Sequence, residues 1–226
     1  MRTQRIVVLA GLFSSLLPVT VLRAAQAEAS QLPFSCAVFS ASTTAADLRA
    51  RFGAANVKTA LVRGGEGDYG EGTVLFDGDP TAKLEIEWRD GARQRDPDRV
   101  SVRGKQTRWH SPAGISLGTP LRAIERLNGR PFRLVGFGSD VQGMVMSWSG
   151  GKLEAQDTND CRVRVRLGPD WDNMDAKLHA LVSQLEWALE FSSGHPAMQG
   201  LNPTANELLL QYHRTPADTR MEPMRH

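Results

Sequence analysis

The most legible hydrophobic pattern in the chain lies in residues 114–153. Leu121, Ile124 and Leu127 recur at i, i+3 and i+6, which predicts a short helix with a narrow apolar stripe. Thr119 is placed to cap it, and Pro120 suits its first position, where a missing N–H costs nothing. Asn128-Gly129 predicts a left-handed stop, and Pro131 forbids continuation. Residues 132–137 and 144–148 then read as two strands around the turn-prone Gly138-Ser139-Asp140.

The rest of the chain is read in the same way. Residues 34–39 predict a strand. Ser42-Thr43-Thr44 followed by Asp47 predicts a capped helix over 45–52, closed by Gly53, with Leu48 and Phe52 on its apolar face. Residues 63–72 hold five glycines and read as a loop. Residues 73–76 form a strand, and Asp77-Gly78-Asp79-Pro80 a turn. Over 83–88 the pattern alternates strictly, with Leu84, Ile86 and Trp88 inward; a charged loop over 93–99 precedes a further alternating stretch at 99–103. In the cleanest strand, 161–167, Cys161, Val163, Val165 and Leu167 face one way and Arg162, Arg164 and Arg166 the other. Met174, Leu178, Leu181, Val182 and Leu185 predict a helix over 172–185 with Asp172 as its cap. Trp187, Leu189 and Phe191 alternate, as do Leu208, Leu210 and Tyr212, predicting two strands joined by a loop over 192–203. Continuation of the helix to Phe191 is the rival reading.

Together these segments predict an α+β fold, an antiparallel sheet with short helices packed on one face. The helices ending at Gly53 and Gly129 share Ser/Thr capping, and strands ending near Trp88 and Trp148 follow them. Segments 40–103 and 114–167 can therefore be read as a duplicated helix–sheet module, with further helix and strands over 172–213. The alternative is two ordinary α+β segments with common capping chemistry.

Composition changes the picture at the N-terminus. Arg2 and Arg5 precede an apolar stretch from Ile6 to Val21, and Ala25-Gln26-Ala27 is a small-x-small cleavage site, so residues 1–27 predict a signal peptide. A membrane anchor is the other reading, but Pro18 and Arg23 leave only about 17 residues between charges, at the lower limit for a bilayer span. The residues before Cys36 do not form a lipobox. The whole chain has 27 basic and 25 acidic residues, formally +2. Arg2, Arg5 and Arg23 lie ahead of Glu28 with no acid among them, leaving 24 against 25 in the exported part. Nucleic acid, which demands clustered positive charge, is thereby excluded. The mature chain has enough residues for one α+β domain over 28–213, followed by a polar, proline-broken tail at 214–226 expected to be disordered. Its only cysteines, Cys36 and Cys161, predict one disulfide in a periplasmic or secreted protein with no membrane span after cleavage.

Gly114-Ile115-Ser116-Leu117-Gly118-Thr119, the short helix, and Asn128-Gly129-Arg130-Pro131-Phe132 together resemble the core of the β-lactamase-inhibitor-protein-like modules, which also occur in small outer-membrane assembly lipoproteins. The longer run through Gly136-Phe137, Asp140, Gly143, Trp148 and residues 150–153 is similar to exported bacterial proteins of no assigned activity. The match covers about 40 of 226 residues and its motif is structural. The resemblance implies a helix-on-sheet module with a protein-binding or envelope role, and it brings no catalytic residues. A lipobox and a clear inhibitory loop are both missing here.

Motif chemistry is sparse. The sequence holds no G-x-S-x-G elbow, H-E-x-x-H, C-x-x-C or P-loop. His110, His179, His195, His213 and His226 never stand at ligand spacing, so no cofactor and no metal are expected. Glu66, Asp68, Glu71, Asp77 and Asp79 could offer oxygens to Ca²⁺ but lack EF-hand spacing. Trp109-His110-Ser111-Pro112 and Ser192-Ser193-Gly194-His195 mix base and nucleophile types without a third partner. The arginine ladder at 162, 164 and 166 reads as an anion-binding surface or as the solvated face of a sheet. Two functional classes remain. One is an exported, non-enzymatic binding or envelope protein that meets another envelope protein through a sheet face, the glycine-rich loop, or an outward patch of Trp88, Trp109 and Trp148. The other is a hydrolase with a site assembled from dispersed residues.

Overall fold

The computed structural model describes residues 31–64, 67–139, 141–185 and 190–213. The expected signal peptide, the tail, the turn residue Asp140, and Trp187 and Leu189 lie outside the described residues. In chain order the elements are β1 (Leu32–Pro33), α1 (Ala45–Phe52), β2 (Val57–Arg63), β3 (Tyr69–Leu75), β4 (Leu84–Asp90), β5 (Arg95–Arg103), β6 (Trp109–His110), α2 (Leu121–Asn128), β7 (Arg133–Leu134), β8 (Val145–Ser147), β9 (Cys161–Gly168), α3 (Ala176–Ser183), β10 (Phe191–Ser192), α4 (Pro196–Leu201) and β11 (Thr204–Tyr212). Six strands form one antiparallel sheet in the order β2-β3-β4-β5-β11-β9. β7 sits between β10 and β8 in a small antiparallel sheet, and β1 pairs with β6 in parallel.

The large sheet obeys its alternation. Leu84 and Ile86 of β4, Val100 and Val102 of β5, Leu208 and Leu210 of β11, and Val163 and Val165 of β9 are all buried in one cluster with Leu48 of α1 and Leu121 and Ile124 of α2. Cys36 and Cys161 are bonded, as expected, with their Cα atoms 5.8 Å apart, and both are part of that core. Phe39, Phe52, Phe76 and Trp109 form an aromatic knot, with the Phe39 and Trp109 ring centres 5.7 Å apart.

On the opposite face the sheet is laced by charge. Glu207 of β11, with its side chain 6% exposed, accepts from Arg103 Nε on β5 and from Arg166 Nε on β9, each at 2.8 Å. Arg103 also donates to Glu85 on β4 at 2.9 Å. One buried carboxylate thus joins three adjacent strands, an arrangement that only complete pairing makes tolerable.

Several elements depart from the sequence expectation for identifiable reasons. Residues 63–72 are not all loop: β2 and β3 form a long hairpin, and Gly72 belongs to β3 because a Cβ there would meet the Ile86 carbonyl and the Val62 side chain. The charged stretch 93–99 is mostly strand, since Arg89, Arg95 and Arg99 find acids across the ladder. Residues 34–39 turn rather than extend, with the Phe39 N–H donating to the Ser35 carbonyl at 3.0 Å and both phenylalanines entering the core.

Thr119 does not cap α2. Its hydroxyl accepts from the Ser116 N–H at 3.0 Å, and the Arg122 N–H is instead capped by Asn202 Oδ1 at 3.1 Å. Leu127, at i+6, turns away from the core and is exposed, while Asn128, at i+7, takes the buried position. α3 begins at Asp175, whose side chain accepts from the Leu178 N–H, while Asp172 pairs with Lys105. The expected loop 192–203 contains α4, capped by His195. The four-strand meander β2–β5 that follows α1 has no counterpart within residues 114–167, where β7 and β8 join a different sheet and only β9 enters the large one.

Candidate functional site

The three tryptophans expected as an outward patch are core residues. Trp88, Trp109 and Trp148 are 6%, 0% and 2% exposed. Trp88 Nε1 donates to Thr73 Oγ1 at 2.8 Å, and Trp109 Nε1 donates to the Ala82 carbonyl at 2.7 Å. Trp148 stacks edge-on against Phe132, and its indole N–H has no partner among the described residues. Burial of such large apolar area excludes these three rings from the surface.

The nucleophile and base clusters are likewise committed to structure. Ser193 is fully buried; its Oγ donates to Glu125 Oε2 at 2.6 Å and accepts from the Phe132 N–H at 2.9 Å. His195 Nδ1 accepts the Ala197 N–H at 3.2 Å, which fixes the ring as the α4 cap. His110 Nδ1 faces the Arg108 carbonyl at 2.9 Å and therefore carries the proton. Of the acidic positions, Asp79 is occupied by Thr81 and Arg108, and Asp77 by Lys83. Hydrogen bonds from the Thr81 hydroxyl and N–H hold the Asp79 carboxyl below the ordinary range. Among the described residues no group of three or more His, Cys, Asp or Glu side chains converges to hold a metal.

What the fold does assemble is a recess of about 540 Å³ at the edge of the large sheet. It is lined by Met146 and Trp148 from the end of β8, Glu154 and Asp157 from the following segment, Arg162 and Arg164 from β9, and His213 just past β11. Register explains why two of its arginines have no acid opposite them on β11. Along β9, Arg166 lies opposite Glu207 of β11, but Arg164 lies opposite Leu209 and Arg162 opposite Gln211. Among the described residues no carboxylate comes within 4.0 Å of either guanidinium. Arg164, half-buried, has one long hydrogen bond, to the Met146 carbonyl at 3.4 Å. Burial, and then the neighbouring Arg162 charge, lower the Arg164 pKa, with Asp157 opposing.

The two acids of the recess are themselves engaged by the main chain. Asp157 Oδ1 accepts from the Val163 N–H at 2.9 Å, and Glu154 Oε1 from the Gly150 N–H at 3.0 Å. The arrangement offers two forks of N–H donors that form no ion pair within 4.0 Å among the described residues, each matched in shape to an oxyanion. The alternating arginines of β9 were the sequence signal for it; which of the three would be neutralised depended on β11, some 40 residues further on.

No known protein family, curated protein or solved structure matches the chain.

Proposed function

We propose that this chain is an exported, non-enzymatic binding module of the periplasm or cell envelope that takes its ligand in the recess beside β9. The observation that carries this reading is the pair Arg162 and Arg164, which line a recess and form no ion pair within 4.0 Å among the described residues, while Arg103 and Arg166 on the same sheet face share the buried Glu207. Export is supported by Arg2, Arg5, the apolar run and Ala25-Gln26-Ala27, and by a disulfide, which oxidising compartments favour. The resemblance of residues 114–153 to β-lactamase-inhibitor-protein-like modules supports an envelope role. The non-enzymatic reading is supported by Ser193, whose hydroxyl is held between the Phe132 N–H and Glu125, and by His195 and His110, each of which has its Nδ1 engaged by main chain.

Two measurements test it. Expression from Met1 in a bacterial host, followed by fractionation and N-terminal sequencing, is expected to give a periplasmic protein starting near Glu28. A cytoplasmic product with free thiols defeats the export reading. A thermal-shift screen of the oxidised protein against sugars, amino acids, phosphate esters and divalent cations is expected to find a stabilising ligand whose effect Arg164→Gln abolishes. Turnover of ester, phosphate-ester or glycoside substrates that the same substitution removes defeats the non-enzymatic reading.

A further inference from the structure

The chemistry lining the recess narrows the ligand further, on the premise that it is a binding site at all. We infer that it binds a phosphate monoester carried on a hydroxylated body, such as a glycerol or sugar phosphate, with the phosphate on Arg162 and Arg164. A carboxylate has two oxygens and one charge. Two guanidiniums one β-pleat apart on β9, with the His213 imidazole on the same lining, present more donors and more charge than it can use. A phosphate monoester has three terminal oxygens and approaches two negative charges at neutral pH, which matches both forks together.

The remaining lining suits the body of such a ligand. Glu154 and Asp157 each keep an oxygen beyond the one their main-chain N–H engages, and Asn159 adds a carboxamide. These groups repel a second anion but accept from hydroxyls, so they favour a ligand that is anionic at one end and hydroxylated at the other. Asp157 lies close enough to Arg164 to influence its charge, so it also sets how strongly the phosphate is held. A volume of about 540 Å³ accommodates a small ligand of this kind.

The same chemistry is offered by a free sugar phosphate and by a phosphate monoester headgroup on a lipid. The probes for titration of the full-length, oxidised protein are therefore glycerol 3-phosphate, glucose 1-phosphate, glucose, and vesicles containing either phosphatidic acid or phosphatidylglycerol. The expected result is saturable binding to the phosphate esters and none to glucose. Arg162→Gln/Arg164→Gln should weaken binding at least tenfold, while Arg51→Gln on α1 should stay within twofold. Asp157→Asn keeps the acceptor for the Val163 N–H and removes the charge beside Arg164, so it should tighten binding of inorganic phosphate, which has no hydroxylated body, several-fold; unchanged or weaker phosphate binding overturns the inference even if the double variant folds poorly.

Binding to phosphatidic acid vesicles alone identifies the lipid headgroup as the source; binding to the soluble esters identifies the free compound. Equal binding to phosphatidylglycerol vesicles, or affinity unchanged in the double variant, overturns the inference. A thermal shift from another ligand class that depends on Arg164, with none from phosphate esters, overturns this inference and leaves the binding function standing. No shift from any class removes both.

Discussion

Asn128 stands where the sequence asks only for a helix stop, yet its side chain is buried and bonded on three sides. Its Nδ2 donates to the Arg130 and Trp148 carbonyls, both at 2.9 Å, and its Oδ1 accepts the Leu153 N–H at 3.3 Å. Gly151 is the matching void: a Cβ there would overlap the Asn128 amide. Asn128→Ala strands three main-chain groups and should lower stability by about 2–4 kcal/mol in urea unfolding, with the slope unchanged. Glu87 is the opposite case. Burial, aided by Asp98, raises its carboxyl above the ordinary range, with Arg99 opposing. Its Oε2 is buried with no hydrogen-bond partner among the described residues, the Arg99 Nε standing 4.0 Å away. Because the folded state prefers the protonated form, the carboxylate weakens the fold at neutral pH. That penalty sets in as pH rises from the ordinary glutamate value toward the raised one. Glu87→Gln should therefore be more stable than the parent at pH 7 and lose its advantage below about pH 4. A stability difference that stays constant over that range would count against burial as the cause.

At the scale of elements, the attachment of the small hairpin to the large sheet turns on Gly143. Its φ is +68°, its carbonyl accepts from the Leu167 N–H at 2.9 Å, and a Cβ there would collide with the Leu167 carbonyl. Gly143→Ala combines a disfavoured backbone with a clash against main chain. It should cost more than about 2 kcal/mol in thermal or urea unfolding, whereas Gly78→Ala, with open space around it, should cost little. Elements governed by local rules were legible beforehand. The Ser/Thr cap of α1, which is Thr44 in a capping box with Asp47, the alternation of Leu84, Ile86 and Trp88, and the inward faces of β9 and β11 follow the local pattern. Those governed by a distant partner were not. Glycines signal a loop only until Gly72 is seen against Ile86, and Arg95 and Arg99 look solvated until Asp90 and Glu87 lie beside them. A helix cap can also come from elsewhere in the chain, as Asn202 does for α2. The recess was half-visible for the same reason: its arginines alternate on one strand, but Met146, Asp157 and His213 reach it from three others parts of the chain.

For the molecule as a whole, the Cys36–Cys161 bond spans 125 residues and ties the segment before α1 to the edge strand β9. In the chain-entropy account such a loop restrains the unfolded state by about 4–5 kcal/mol. Cys36→Ser/Cys161→Ser should lower the urea midpoint accordingly, and added reductant should weaken the parent protein toward the same value. An unchanged midpoint would mean that the reduced chain keeps this loop closed by other contacts. Among the described residues no helix is long and apolar enough to cross a membrane.

The sheet order has a temporal side. β11 lies between β5 and β9, hydrogen-bonded to both, and supplies the carboxylate on which Arg103 and Arg166 meet. A chain delivered N-terminal end first presents β2 to β5 as a ready meander, and β9 follows with no neighbour in the large sheet. Until Thr204–Tyr212 arrives, two strand edges stay open and two arginines lack their common acid. Closure is thus deferred to the last described strand. The large sheet stays incomplete for most of synthesis on the ribosome and closes when the wedge strand enters.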